Sequence, residues 1–206
     1  MLLTIDPAEP EAWLVARVVQ MLRRGEVAVI PTDTVYALVC RLADEAAVLR
    51  LYEVKRIAPA KRLSLLVADI ATAARYTRGI SNRVFRSMRR VLPGPYTFIF
   101  QASSEIPRIM LRKRRTVGIR IPDCPIALAV LAELGEPLLS TSVRNQADEW
   151  VLDPAQIEEQ LGEDVTVVVD GGRLAAAPST VVDLSGEEPV LVREGRGSVG
   201  ALEMFD

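Results

Sequence analysis

Short, uniformly apolar segments alternate along this chain with segments of helical periodicity. EVAVIP (26–31), LSLLVAD (63–69) and VTVVVDGG (165–172) are examples of the apolar segments. An apolar run without alternation is typical of a strand buried on both faces of its sheet. Apolar residues at helical spacing separate these runs, as in the helix predicted over 11–24. The alternation predicts an α/β or α+β fold, with one sheet covered by helices on both sides.

The same criteria predict the remaining elements. Helices are predicted over 44–56, around 81–91 and over 126–134. Strands are predicted over 97–102, 116–122, 138–142, 179–185 and 190–195. PTDTVYAL (31–38) is interpreted as a polar turn, and PGPY (93–96) as a rigid one. The chain contains no internal repeat, low-complexity tract or linker, so we predict a single domain over 1–206.

Composition excludes several classes of site. The chain has no histidine, which excludes histidine-based triads, histidine general bases and HExxH zinc sites. Cys40 and Cys124 are its only cysteines, too few for a disulfide framework and consistent with a reducing cytosol. The N-terminus lacks the basic start and apolar run of a signal peptide. No apolar stretch approaches the roughly 20 residues that span a bilayer. We therefore expect a cytoplasmic protein with no membrane partner.

Charge is distributed unevenly. The net charge is −2, but the segment from Arg50 to Arg120 holds 17 Lys/Arg against three acids, a local balance of +14. A segment this basic in an acidic protein predicts a polyanionic partner, such as nucleotide phosphates or nucleic acid, or an acidic patch elsewhere in the fold. A solvated helix face around RVFRSMRR (83–90) would account for part of the excess.

Polar clusters lie at the ends of several predicted strands, some before and some after the strand, where α/β sheets usually bind ligands. The clusters are Thr32–Thr34, Lys55–Arg56 with Lys61–Arg62, Pro93–Thr97, Ser140–Ser142, Ser179–Thr180 and Arg193. Each has a purely structural interpretation, as a cap, a turn or compensation of a helix dipole. Arg120 differs, because a charge among apolar strand residues requires an anion, either an Asp or Glu of the fold or a ligand. Asp33 is interpreted either as a metal ligand or base, or as a capping or turn residue.

In this order and spacing, the clusters resemble the YrdC/YciO-like domain family, which includes the threonylcarbamoyl-AMP synthases. The resemblance extends from about residue 10 to about residue 197. It is carried by PTDTVYAL, VKRIAPAKRLSLL, LPGPYTFIF, VGIRIP, LLSTS, VVVDGG, PSTVVDL and VLVREG. It implies a twisted mixed α/β sheet around a concave, positively charged cavity. Synthases of the family convert ATP, L-threonine and bicarbonate into threonylcarbamoyl-AMP and pyrophosphate for the t6A modification of tRNA, and some members bind double-stranded RNA.

The resemblance also implies roles for individual residues. The ATP-binding set would be Lys55, Arg56, Thr97, Ser142 and Arg193. The threonine-binding set would be Thr32, Thr34, Arg120, Thr141 and Ser179. Lys55 and Arg120 would stabilise developing charge, Gly94 would shape the cavity wall, and Mg²⁺ would accompany ATP. No general base is identified.

Several positions depart from the synthase pattern and make the YciO branch the closest match. Ala37 stands where the synthases have glycine, and Cys124 where they have histidine. Lys55 is followed by Arg56 and Ile57 instead of forming Lys-x-Arg, and Arg144 interrupts a Ser-Ala-Asn motif. An arginine there could accommodate another anion, such as an RNA phosphate. Two hypotheses follow: a threonylcarbamoyl-AMP synthase-like nucleotidyltransferase, or a catalytically altered RNA- or nucleotide-binding protein.

Overall fold

A computed structural model describes residues 1–56, 63–111, 115–175 and 177–202. These residues form eleven strands: β1 (Leu2–Thr4), β2 (Ala28–Ile30), β3 (Ala37–Arg41), β4 (Ser64–Leu66), β5 (Thr77–Arg78), β6 (Tyr96–Ala102), β7 (Thr116–Arg120), β8 (Leu138–Ser142), β9 (Val167–Asp170), β10 (Thr180–Asp183) and β11 (Val190–Arg193). They also form six α-helices: α1 (Ala12–Arg23), α2 (Glu45–Lys55), α3 (Ile70–Tyr76), α4 (Asn82–Val91), α5 (Pro125–Leu134) and α6 (Pro154–Leu161). Short 3₁₀ turns cover Arg108–Leu111 and Val199–Ala201.

Local sequence explains where most helices begin. Four helices have an N-cap side chain that accepts a hydrogen bond from a backbone N–H of the first turn: Asp44 for α2, Asp69 for α3, Ser81 for α4 and Asp153 for α6. Such caps satisfy donors that the helix itself cannot pair. Helix α5 instead begins at Pro125, whose missing N–H is harmless in the first turn. Gly135, at a φ of 74°, ends α5 in the left-handed conformation that glycine adopts readily.

All the strands belong to one mixed sheet. Ten of them lie in the order β1-β9-β2-β3-β8-β4-β7-β6-β10-β11, and β5 pairs with the end of β6. The pairs β1–β9, β2–β9, β4–β7 and β6–β10 are parallel, and the other pairs are antiparallel. This mixed sheet with its helices confirms the predicted fold class.

Apolar side chains pack on both faces of the sheet. Helices α2, α3, α4 and α6 contribute to the larger cluster on one face. Helices α1 and α5 contribute to the cluster on the other face. Among the described residues, no helix combines the length and the apolar character needed to cross a bilayer.

The sequence interpretation missed several elements. PTDTVYAL was expected to be a polar turn, but its last two residues begin β3, and the segment is largely buried. The hydroxyl of Tyr36 donates a hydrogen bond of 2.7 Å to the carbonyl oxygen of Gly172, a residue distant in sequence. When polar side chains find their hydrogen-bond partners far away in the sequence, the local sequence of a buried segment resembles that of a surface loop. Strands β1 and β5 and the helices α3 and α6 were also missed, because segments this short carry little periodicity.

Both cysteine side chains are buried, Cys40 in β3 and Cys124 at the start of α5. Burial raises the pKa of the Cys40 thiol to about 12 and also raises the pKa of Cys124. Because the thiolate is the reactive form, we expect neither thiol to react with dithionitrobenzoate in the folded protein. Both should react after unfolding in guanidinium chloride. Rapid modification of a thiol under native conditions would contradict this prediction.

Candidate functional site

A cavity of about 310 Å³ lies on the sheet face that also carries α1 and α5. Ser140 of β8 pairs with Ser64 of β4, and Ser64 pairs with Gly118 of β7, so small residues lie side by side in its floor. A Cβ atom on Gly118 would be only 2.8 Å from Oγ of Ser64. The next residues along two of these strands, Leu65 and Ile119, belong to the core on the opposite face. Side chains alternate between faces in a strand, so the small residues Ser64, Gly118 and Ser140 leave space on one face while their neighbours fill the core on the other.

A buried ion pair joins Asp33, in the loop between β2 and β3, to Arg120, at the end of β7. Nη2 of Arg120, at the end of β7, donates a hydrogen bond of 2.5 Å to Oδ1 of Asp33. The same nitrogen donates to Oγ1 of Thr34 at 2.6 Å and to Oγ1 of Thr32 at 3.2 Å. Thr32 in turn donates to the carbonyl oxygen of Val35 at 2.6 Å, which closes the loop on itself. The threonine hydroxyls therefore orient an arginine instead of capping a helix.

The anion that Arg120 was expected to require is a residue of the fold, Asp33. Both side chains are 9 % exposed, so the pair is almost fully removed from water. Burial lowers the pKa of Arg120, and the charge of Asp33 opposes that shift. Nε of Arg120 and Oδ2 of Asp33 are buried with no hydrogen-bond partner among the described residues. The pair is thus held by one hydrogen bond, whereas an arginine–carboxylate fork can make two.

A second arginine lines the cavity from β11. Nη2 of Arg193 donates to the carbonyl oxygen of Ser179 at 2.9 Å, and Oγ of Ser179 lies 2.9 Å from Oγ1 of Thr97. Burial lowers the pKa of Arg193, and the positive charges of Arg144 and Arg120 lower it further. Arg193 contacts no carboxylate in the part of the chain that the structure describes.

Lys55 and Arg56, at the end of α2, differ in their relation to the cavity. Nζ of Lys55 donates a hydrogen bond of 2.7 Å to the carbonyl oxygen of Ser142, which lines the cavity. Arg56 is exposed, has a left-handed φ of 54° and is not a lining residue. Lys61–Arg62 lie outside the described residues.

A C-terminal strap, residues 194–198, ties the cavity walls together. The backbone N–H of Gly195 donates to Oγ1 of Thr180 at 2.9 Å. Nη1 of Arg196 donates to the carbonyl oxygen of Asp33, in the loop that holds Arg120. The strap therefore joins β10 to the loop between β2 and β3.

Most of the residues assigned from the sequence meet at this one cavity. Seven of the ten line it: Thr34, Thr97, Arg120, Thr141, Ser142, Ser179 and Arg193. Thr32 and Lys55 do not line it, but they bond to residues that do. Among the described residues, Arg56 makes no such contact. Gly94 does not line the cavity either, contrary to expectation: its N–H donates to the carbonyl oxygen of Ile121, so it serves the turn before β6.

Sequence reasoning missed part of the lining. Trp150, Ile106 and Met110 face the cavity, although they stand outside the motifs. Arg196 was also missed. The available signal was its position between two glycines at the end of the predicted last strand, since glycines let the backbone pass close to neighbouring segments.

The described residues do not offer a metal site. They contain no group of three or more Cys, Asp or Glu side chains that could hold an ion, and Asp33 is already paired with Arg120.

The chain resembles known proteins over most of its length. The Sua5/YciO/YrdC family profile, described as "Telomere recombination", matches residues 20–195. The uncharacterized protein YciO of Escherichia coli strain K12 is 39% identical over 197 residues, which cover 95% of each chain. Its crystal structure superposes with a TM-score of 0.92 over 98% of each chain, at 38% identity.

Two further relatives have a named activity or ligand. A threonylcarbamoyl-AMP synthase of Vibrio vulnificus strain YJ016 is 31% identical over 158 residues, covering 75% of this chain and 84% of that protein. Pyrococcus abyssi Sua5 in complex with L-threonine superposes with a TM-score of 0.89 at 26% identity, covering 95% of this chain and 57% of that one. By the extent of the profile match and the identity of these relatives, the chain belongs to the Sua5/YciO/YrdC family.

Proposed function

We propose that the chain is a threonylcarbamoyl-AMP synthase-like nucleotidyltransferase, which converts ATP, L-threonine and bicarbonate into threonylcarbamoyl-AMP and pyrophosphate. The observation that carries the proposal is Arg193. It is a cation at the end of β11 that lines the cavity, lies within the field of two other arginines and contacts no carboxylate among the described residues. A concave site with surplus positive charge favours an anionic ligand.

Residue chemistry in the cavity fits two anions held side by side. Arg120 has donors beyond the nitrogen that holds Asp33, and an arginine fork suits the threonine carboxylate. Thr141 and Ser179 line the same cavity and would orient the amino acid. Arg193 and Ser142, with Lys55 behind Ser142, would contact the phosphates. The relative named as a threonylcarbamoyl-AMP synthase supports the proposed reaction.

The reaction requires positioning more than acid–base chemistry. The amine of threonine and bicarbonate form N-carboxythreonine with the loss of one water molecule. An oxygen of the new carbamate group then attacks the α-phosphorus of ATP. The new oxygen–phosphorus bond forms as the bond to the bridging oxygen breaks, and pyrophosphate leaves with the electron pair. Negative charge builds up on the leaving oxygens, where Arg193 and Lys55 would stabilise it. The absence of histidine is therefore no obstacle.

Pyrophosphate release is the measurement that tests this proposal. With ATP, Mg²⁺ and bicarbonate, we expect release only when L-threonine is added. Arg193→Gln should lower it by about tenfold or more, since the variant loses one charged contact to the phosphates. The control is Arg86→Gln, which also removes one arginine charge, but from the exposed face of α4. Arg86 does not line the cavity, so this variant should retain full activity. Release that ignores threonine, or an equal loss in both variants, would contradict the proposal.

A second candidate function, RNA binding without catalysis, rests on the surface of α4. Arg86 and Arg89 are exposed there, and the guanidinium of Arg89 lies 6.0 Å from the ring centre of the exposed Phe85. Such a face would bind phosphates through counterion release, with affinity that falls steeply as salt rises. Salt-dependent binding of double-stranded RNA, lost in Arg86→Gln/Arg89→Gln and accompanied by no pyrophosphate release, would favour this function over the synthase.

A further inference from the structure

Trp150 is the one tryptophan among the residues that line the cavity. It lies in the segment 143–151, which follows β8 and includes the departure from the synthase motif. The guanidinium carbon of Arg144 lies 4.8 Å from the centre of its ring. Arg144 itself does not line the cavity. The indole thus contacts the cavity, and a charged side chain supports it over one face.

Hydrogen bonds within this segment hold the backbone on both sides of Trp150. Arg144 and Trp150 form an isolated antiparallel β-bridge. The N–H of Val151 donates to the carbonyl oxygen of Val143 at 3.4 Å, and the N–H of Asn145 donates to that of Glu149 at 2.9 Å. The backbone around Trp150 is therefore paired, and Arg144 packs on its ring. A side chain restricted in this way loses less conformational freedom when a ligand binds.

The sequence suggested that Arg144 could bind an additional anion, but in the structure its side chain has other partners. Nη1 of Arg144 donates to Oδ2 of Asp148 at 2.7 Å and to its carbonyl oxygen at 3.0 Å. The carboxylate compensates the charge, and the planar guanidinium packs on the indole, as arginine does in cation–π pairs. Arg144 therefore supports Trp150 instead of presenting a free charge.

We propose that Trp150 is the platform on which the base of the nucleotide stacks, with Arg144 and Asp148 holding the indole in place. The proposal rests on the nucleotide half of the function proposed above. Trp150 lines the same cavity as Ser142 and Arg193, so a base on the indole would leave its phosphates close to the cationic groups. Stacking uses the π-face that every base has and requires no hydrogen-bond readout of the base edge.

The chain itself supplies a reporter for this contact. Its two tryptophans are Trp13 and Trp150, and Trp13 is a 68 % exposed residue of α1 that does not line the cavity. In the Trp13→Phe variant, all tryptophan fluorescence comes from Trp150. Excited at wavelengths where adenine does not absorb, this variant should be quenched by ATP and AMP, but not by tripolyphosphate. The reciprocal variant, Trp150→Phe, should show no quenching, because its remaining tryptophan is remote from the site.

Affinity measured by calorimetry gives a second readout. Trp150→Leu should weaken ATP binding about tenfold, since the stacked base loses its platform, and should leave tripolyphosphate binding unchanged. Trp150→Phe keeps an aromatic ring and should retain most of the ATP affinity, which separates stacking from a folding defect. Arg144→Gln should weaken ATP binding less than Trp150→Leu does.

The outcomes distinguish this inference from the proposed reaction. Quenching by ATP without threonine-dependent pyrophosphate release would support the platform and overturn the synthase. Pyrophosphate release with equal ATP affinity in Trp150→Leu and the unaltered protein would overturn the platform and leave the synthase standing. Equal quenching by ATP and tripolyphosphate would also overturn it, because the base would then make no contact. Failure of ATP to bind at all would overturn both.

Discussion

Arg120→Met is expected to abolish threonine-dependent pyrophosphate release and to destabilise the protein by about 3–5 kcal/mol. Activity should fall because the variant loses the guanidinium assigned to the threonine carboxylate. Stability should fall because Asp33, whose side chain is 9 % exposed, would be left as a buried carboxylate without its cation. Pyrophosphate release and the free energy of unfolding in urea measure the two effects separately.

A double-mutant cycle identifies the cause of the stability loss. Asp33→Asn alone leaves the charge of Arg120 uncompensated and should also be destabilising. Asp33→Asn/Arg120→Met removes both buried charges, so its loss should be smaller than the sum of the single losses. Additive losses would show that Asp33 and Arg120 do not stabilise each other, contrary to their 2.5 Å hydrogen bond.

Gly195→Ala is expected to displace the C-terminal strap and to lower activity by about a hundredfold, the scale of a small misplacement of catalytic groups. A Cβ atom here would lie 2.2 Å from the carbonyl oxygen of Pro178 and 2.6 Å from the backbone of Ser179. Backbone atoms cannot rotate away, so the strap must move. Ser179 anchors the guanidinium of Arg193, and the proposed phosphate contact would shift with it. Overpacking should also cost about 1–3 kcal/mol of stability.

Gly186→Ala is the matched control, since it places the same methyl group in the connection between β10 and β11. Its Cβ would meet no atom closer than 4.0 Å, the carbonyl oxygen of Glu188. We expect an unchanged urea midpoint and unchanged pyrophosphate release for this variant. Wild-type activity in Gly195→Ala would mean that the strap has no part in positioning Arg193.

Elements with strong local signals were predicted well from the sequence. LLSTS was predicted as a strand over 138–142 and forms β8 with those bounds. The helix predicted over 126–134 forms α5 with one additional residue, Pro125, at its start. Apolar patterning and the glycine after the helix are local properties, and they act in the same way wherever the segment lies.

Strand β3 shows where local signals are insufficient. Thr32, Thr34 and Tyr36 made the preceding segment resemble a surface turn, yet all three are buried. Their hydroxyls bond to groups far away in the sequence, including Arg120 and Gly172. The burial of a polar side chain depends on partners that only the assembled fold brings close.

The sequence by itself determined the fold class, the alternation of strands and helices, and the residue types available for an anion site. Hydrophobic periodicity is a property of each segment, and the absence of histidine is a property of the whole composition. Neither depends on how the segments are arranged in space. Only the tertiary structure decided that Asp33 pairs with Arg120, that Arg196 reaches the loop of Asp33, and that Trp150 lines the cavity. Each of these contacts depends on which strands lie side by side in the sheet. The order of the strands is set by packing over the whole sheet, and the local sequence pattern does not specify it.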